Sequence, residues 1–172
     1  MSGPIHVHSC VPNECSDKEI EDFAALVAAG GEVELEGLEA RVRSAICLVF
    51  LSLGPCLVGV AGLKKPSERH RKEVSDASGV SLPAAQVPYE LGWVFVMPSA
   101  RGKRFSVELT RAAVDAAAGA GLFATSRTDN ANMHATLMKF GFKEVGKKWR
   151  SKRGRHSLML FMRLDAERPN VT

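Results

Sequence analysis

Several things are scarce in this sequence. Among 172 residues there are one tyrosine, two tryptophans and four cysteines, and aromatic residues make up only 6%. No internal repeat, heptad run or low-complexity tract occurs, which argues against solenoid and coiled-coil architectures and disordered tracts. Met1-Ser2-Gly3-Pro4 leads into a polar strand pattern and not into an apolar leader. Cys10, Cys15, Cys47 and Cys56 therefore read as reduced thiols of a cytoplasmic protein and not as a disulfide framework. No recognised nucleic-acid-binding motif is present, and the basic stretch near the C-terminus offers a single stacking platform, Trp149.

What is present is ordinary for a globular chain. Hydrophobic residues make up 45% and charged residues 24%. The length suits one domain over residues 1–172, with an insertion-like connection at 64–87. A net charge of +4 biases the surface toward anionic partners without choosing among them. Ala45–Leu63 is uncharged and long enough to meet the length rule for a membrane helix. Gly54-Pro55 interrupts it at the middle, so two buried strands joined by a turn are the better reading, and no membrane contact is expected.

The chain is organised around Pro88–Gly121. Leu91, Trp93, Phe95 and Met97 alternate with Glu90, Gly92, Val94 and Val96, the period of a strand. Pro98 ends it, and Arg101, Gly102, Lys103 and Arg104 form a basic turn. A helical pattern follows with Val107, Leu109, Ala112, Ala113, Ala116 and Ala117 apolar. A helix that begins beside a strand end, with glycine and cations in the turn, is an anion site by virtue of its free N–H groups and its dipole.

The rest falls into short elements. Pro4–Cys10 reads as a strand with His6, His8 and Cys10 on one face. All three are too far apart to grip one ion, so a polar strand face is preferred to a metal site. Ser16-Asp17-Lys18-Glu19 is a capping box opening a helix that Gly30-Gly31 closes, and a shorter helix spans Leu38–Ser44. Residues 67–73 can form a charged helix and residues 75–88 read as loop, a connection long enough to serve as a lid over an acceptor. Leu122–Thr125 reads as a strand, and Asp129 or Asn130 caps a helix ended by Gly141. Residues 142–148 and 157–164 form a final pair joined by a basic loop, Trp149–Arg155.

These motifs carry a family resemblance. VFVMPSARGKRFS resembles the GNAT superfamily signature V-x-P-x-x-[QR]-x-x-G-x-[GA], matched at Val96, Pro98 and Arg101. It departs at Arg104 and Ser106, which stand at the glycine and the glycine-or-alanine positions. TDNANMHATLMKFGFKEVG resembles the family's N-x-x-A-x-x-L-Y-x-K-x-G-F stretch at Asn130, Lys139, Gly141 and Phe142. The resemblance implies the α/β GNAT fold, with a mixed sheet of about seven strands and about four flanking helices. It implies acyl transfer from acetyl-CoA, or a similar acyl-CoA, to an amine acceptor that is a small molecule or a peptide. A homodimer is allowed, and nucleic acid is the less favoured partner.

Carried across residue by residue, the resemblance assigns the pantetheine arm to the main chain of Val94, Phe95 and Val96, with an amide there polarising the thioester. It assigns the pyrophosphate to Arg101, Gly102, Lys103, Arg104, Phe105, Ser106 and Val107, places Asn130 toward the pantetheine, and makes Glu90 the general base. The tyrosine that often serves as general acid is replaced by Leu137, and His134 is the nearby substitute. Lys147, Lys148, Arg150, Lys152, Arg153 and Arg155 point to an anionic acceptor. The alternative is a module that keeps the fold, senses acyl-CoA or binds nucleic acid, and has lost turnover.

Overall fold

The computed structural model describes residues 3–165. Its elements run β1 (Ile5–Cys10), α1 (Asp17–Ala29), α2 (Leu38–Arg43), β2 (Cys47–Leu53), β3 (Cys56–Lys64) and α3 (Glu68–Ser78). They continue with β4 (Tyr89–Val96), α4 (Phe105–Ala116), β5 (Leu122–Arg127), α5 (Ala131–Lys139), β6 (Lys143–Arg150) and β7 (Ser157–Arg163). The strands form one mixed sheet in the order β1-β2-β3-β4-β5-β7-β6. β4 and β5 are parallel where they pair, at Tyr89–Leu122 and Glu90–Phe123, and the β1–β2, β2–β3, β5–β7 and β6–β7 ladders are antiparallel. Two compact units divide the chain: Met1–Lys64 with Leu91–Ala116, and Lys65–Glu90 with Ala117–Thr172.

In the first unit the apolar run Ala45–Leu63 is the β2–β3 hairpin, with its turn at Gly54-Pro55, because both strands bury nearly every residue on both faces. No helix among the described residues is long and apolar enough to cross a membrane. Ser16 opens α1 with the full capping box, its Oγ accepting from Glu19 N at 3.2 Å and Glu19 Oε2 accepting from Ser16 N at 2.7 Å. Such a cap contributes about 1 kcal/mol. Ile20, Phe23 and Val27 of α1, Leu38 and Val42 of α2, and Leu48, Phe50 and Val60 of the hairpin make one core cluster, on which Trp93 and Phe95 also pack. The α4 core face is Phe105, Leu109 and Ala113, a spacing of four, with Thr110 and Val114 beside them. Ala116, expected on that face, is exposed.

There are five α-helices among the described residues, in keeping with the expected sheet of about seven strands flanked by about four helices. In the second unit one of them, α3, lies in the stretch read as an insertion-like connection. Ser67 caps α3 by accepting from His70 N at 3.1 Å, and Gly79, with φ 75°, stops it in the left-handed region. The charged run was legible as a helix, but not its buried side, where Val74 joins Leu82, Val87, Phe123 and Leu160 in a core cluster. Arg71 ties the following loop down. Its Nη1 donates to the carbonyls of Val87 at 2.8 Å and Leu82 at 3.1 Å, its Nη2 to that of Pro88 at 3.2 Å, and its guanidinium lies over the Phe123 ring. One side chain of α3 thus fastens both ends of the loop stretch Leu82–Pro88. β6 also runs longer than expected, taking in Trp149 and Arg150, because Trp149 pairs with Leu158 beyond a bulge and packs on the same core cluster.

Candidate active site

The strand–turn–helix of the first unit begins with an irregular β4. Trp93 has φ 55°, a left-handed conformation that is costly for a bulky residue inside a strand. Packing holds it there. The indole rests on Gly62 of β3, where a Cβ would come within 2.5 Å of Cε3, with Phe23 edge-on at 5.8 Å and Lys64 Nζ 4.9 Å from the ring centroid. Such a break in the pleat re-aims the main chain of the residues that follow, Val94, Phe95 and Val96.

Pro98–Ala100 then forms a single 3-10 turn and leads into Arg101, Gly102, Lys103 and Arg104, all exposed. Gly102 has φ 83°, and a Cβ there would meet no atom within 4 Å, so this side of the turn is open. Arg104 has φ 60°. The residue that stands where the family pattern has glycine thus adopts a glycine conformation, at a cost of about 1–2 kcal/mol. α4 starts directly after it with Val107 N donating to Arg104 O at 3.0 Å, which leaves the Phe105 and Ser106 N–H groups at the positive end of the helix. An open glycine, the exposed cations Lys103 and Arg104 beside it and a helix N-terminus fit a pyrophosphate.

Two of the residues assigned to the phosphates are placed differently from the rest. Arg101 turns back on β4, its Nε donating to Val96 O at 3.1 Å and its guanidinium 5.8 Å from the Phe95 ring centroid. Phe105 buries its side chain in the core, so only its main chain is available to a ligand.

Two of the four cysteines, Cys15 and Cys47, are held in the protonated thiol form. Burial, and then the hydrogen bond with the Cys10 thiol, push Cys15 up to about 12, and burial raises Cys47 as well. His6 and His8 are exposed with their rings stacked at 6.4 Å, and no group of three His, Cys, Asp or Glu among the described residues is placed to hold a metal.

In the second unit, Glu90 is buried near the start of β4, with Oε2 3.0 Å from His70 Nε2. Sequence reasoning missed His70, whose only signal was its place in a charged run after a helix-capping serine. Asn130 caps α5, its Oδ1 accepting from Met133 N at 3.1 Å, which leaves the side-chain NH2 as a donor. His134 donates Nε2–H to the carbonyl of Arg127 at 2.8 Å, which ties it to the backbone, and its ring lies tilted against Phe161 with centroids 5.1 Å apart. Leu137 is fully buried, and no acid stands at that position. The cations of β6 and its loop, from Lys147 to Arg155, are exposed.

The fold has known counterparts. Escherichia coli ElaA superposes with a TM-score of 0.65 at 16% identity, covering 91% of this chain and 99% of that one. A ribosomal-protein-alanine N-acetyltransferase from Brucella melitensis gives 0.64 at 19% identity, over 92% of this chain and 99% of its own. YncA from Salmonella typhimurium, a structure containing its cofactor acetyl-CoA, gives 0.62 at 14% identity, over 99% and 100%. A search of the curated proteins by sequence finds no match. The model of the acetyltransferase (GNAT) family matches residues 14–142. With that match over more than half its length, and with the seven-stranded mixed sheet, this chain belongs to the GNAT acetyltransferase family.

Proposed function

We propose that this protein is an N-acyltransferase that moves an acetyl or similar acyl group from acyl-CoA to an amine, acting as one catalytic domain over residues 1–172. The observation that carries the reading is the β4–α4 turn, where Gly102 and Arg104 both take left-handed conformations ahead of the first free N–H groups of α4. Acetyl-CoA supplies the thioester. Lys103, Arg104 and the main chain of Gly102–Val107 hold its pyrophosphate by charge and by backbone N–H groups. The main chain of Val94–Val96 holds the pantetheine arm and polarises the thioester carbonyl, and the Asn130 amide adds a donor.

An ammonium cannot attack a thioester, so a base must first remove a proton, and Glu90 is that base, acting directly or through a water. A thiolate of ordinary pKa, about 8.5, leaves without a strong acid, so a buried Leu137 in place of tyrosine is compatible with turnover. The exposed cations Lys147, Lys148, Arg150, Lys152, Arg153 and Arg155 favour an acceptor that carries negative charge.

Calorimetric titration with acetyl-CoA tests the reading directly. Binding, together with a rise in melting temperature on ligand addition, is the expected result. Thiol release on addition of an amine completes the test. No heat at millimolar acetyl-CoA overturns the proposal.

A further inference from the structure

We infer that β1 is an interface between two copies of this chain, joined edge to edge about a two-fold axis at Val7; this does not rest on the acyltransferase reading. β1 is one end of the sheet. One side of its main chain pairs with β2, and no strand among the described residues pairs with the other. The ladder shows which groups face outward. Gly54 N donates to Pro4 O at 3.0 Å, and the register then runs from Ile5 opposite Leu53 to Cys10 opposite Leu48 without a shift. Bonded and non-bonded positions alternate along an antiparallel ladder. His6, His8 and Cys10 therefore turn their N–H and C=O groups to β2, while Ile5, Val7 and Ser9 turn theirs away from it.

That outward row is undefended. An open edge invites another strand, and proteins guard such edges with lysine, proline or bulges. The other end of the sheet carries these guards. β6 has Lys143, Lys147, Lys148 and Arg150, and a bulge breaks its ladder. Ile5–Cys10, by contrast, contains no lysine, arginine, acid or proline. Ile5 is 53% exposed, and His6, His8 and Ser9 are exposed with it.

A second copy is the occupant that fits, because the strand is its own complement. In an antiparallel pair centred on Val7, Val7 meets Val7, Ile5 meets Ser9 and His6 meets His8. The axis puts Ile5, Val7 and Ser9 at bonded positions, each giving one N–H and one carbonyl to the other copy. His6 and His8 meet at the closer, non-bonded positions, extending the ring stack that the two make within one strand at 6.4 Å. Pro4, which has no N–H to give, falls opposite Cys10 at a non-bonded position, so its lack costs nothing. Charge also selects this edge. No lysine, arginine or carboxylate meets its like across β1, whereas self-pairing of β6 would set cations against cations.

Sedimentation velocity of the full chain across the micromolar range tests the inference, and a mass of two copies is expected. Val7→Pro removes an outward N–H and no bond to β2, so it should give a single-copy mass with unchanged circular dichroism. Two double variants at exposed positions test the register and decide the matter if Val7→Pro does not fold. Ile5→Lys with Ser9→Lys sets like charges against each other at both ends of the pair, and Ile5→Lys with Ser9→Glu sets opposite charges there. The second should dimerise at least about tenfold more tightly than the first. A single-copy mass for the wild type at every concentration overturns the inference, including the case where amide exchange finds the Val7 N–H protected by another segment of the same chain. A dimer that survives Val7→Pro, or equal affinities for the two double variants, puts the interface elsewhere and overturns it as well.

Discussion

The β4–α4 turn and the α3 segment both place charge, and they do so by opposite means. In the turn, Arg101, Lys103 and Arg104 are exposed, and the constrained features are backbone: φ of 83° at Gly102 and of 60° at Arg104. In the second unit the constrained features are side chains, Arg71 of α3 buried on three carbonyls and Glu90 of β4 buried close to His70, while Glu68, Arg69, Lys72, Glu73 and Asp76 of α3 stay exposed. The difference fits what each would meet in the proposed reaction. A pyrophosphate is met by N–H groups that every residue but proline has, so conformation matters more than side-chain identity. A proton is taken by one atom of one side chain, which must be named by the sequence and held by packing.

Four substitutions probe the contrast. The largest effect belongs to Glu90→Gln, which keeps the shape and removes the charge. Its rate of acyl transfer should fall by ~10²–10⁴-fold at neutral pH while calorimetry finds acetyl-CoA affinity unchanged. Equal rates in the two proteins would move the base away from Glu90. Next is Arg71→Met, which fills similar space but leaves the Leu82, Val87 and Pro88 carbonyls without their donor. A loss of ~2–4 kcal/mol in urea unfolding is expected. A loss below ~0.5 kcal/mol would show that the segment is held by its apolar contacts alone.

In the turn the same scale of change should be felt by the ligand more than by the fold. Gly102→Asp places a negative charge on the open side and should weaken acetyl-CoA about tenfold, read by calorimetry. Unchanged affinity in the folded variant would put the phosphates elsewhere. The smallest effect is that of Arg104→Gly, which relieves the left-handed conformation and should raise stability by ~0.5–1 kcal/mol in urea unfolding. Its effect on acetyl-CoA decides what the side chain does: weaker binding means that Arg104 reaches the phosphates, tighter binding that it obstructs them.

Much of this was legible in the residues. The alternation through Phe95 and the break at Pro98 mark β4 and its end, and the capping box at Ser16 marks the start of α1 as the structure has it. The uncharged run 45–63 resolves into a hairpin because Gly54-Pro55 can turn and cannot continue a helix. Less legible was anything that depended on a partner distant in sequence. The charge run after Ser67 reads as a solvated face, since nothing local says that Arg71 turns inward to three carbonyls. Phe105 was grouped with the phosphate turn by position, yet the helix phase sends its ring into the core.

What the sequence determined by itself is therefore the order of the strands, the family and the position of the basic turn between β4 and α4. Each of these is written in short-range terms: periodicity, caps, a proline stop and two motifs of fixed spacing. What only the tertiary structure decided is which side chains meet. The left-handed conformation at Trp93 is accommodated because Gly62, on another strand, leaves room for an indole. The approach of His70 to Glu90 exists because α3 and the start of β4 pack within one unit, twenty residues apart along the chain. Local propensity carries no information about such contacts, because their free energy comes from burial and desolvation that arise only once the elements are assembled.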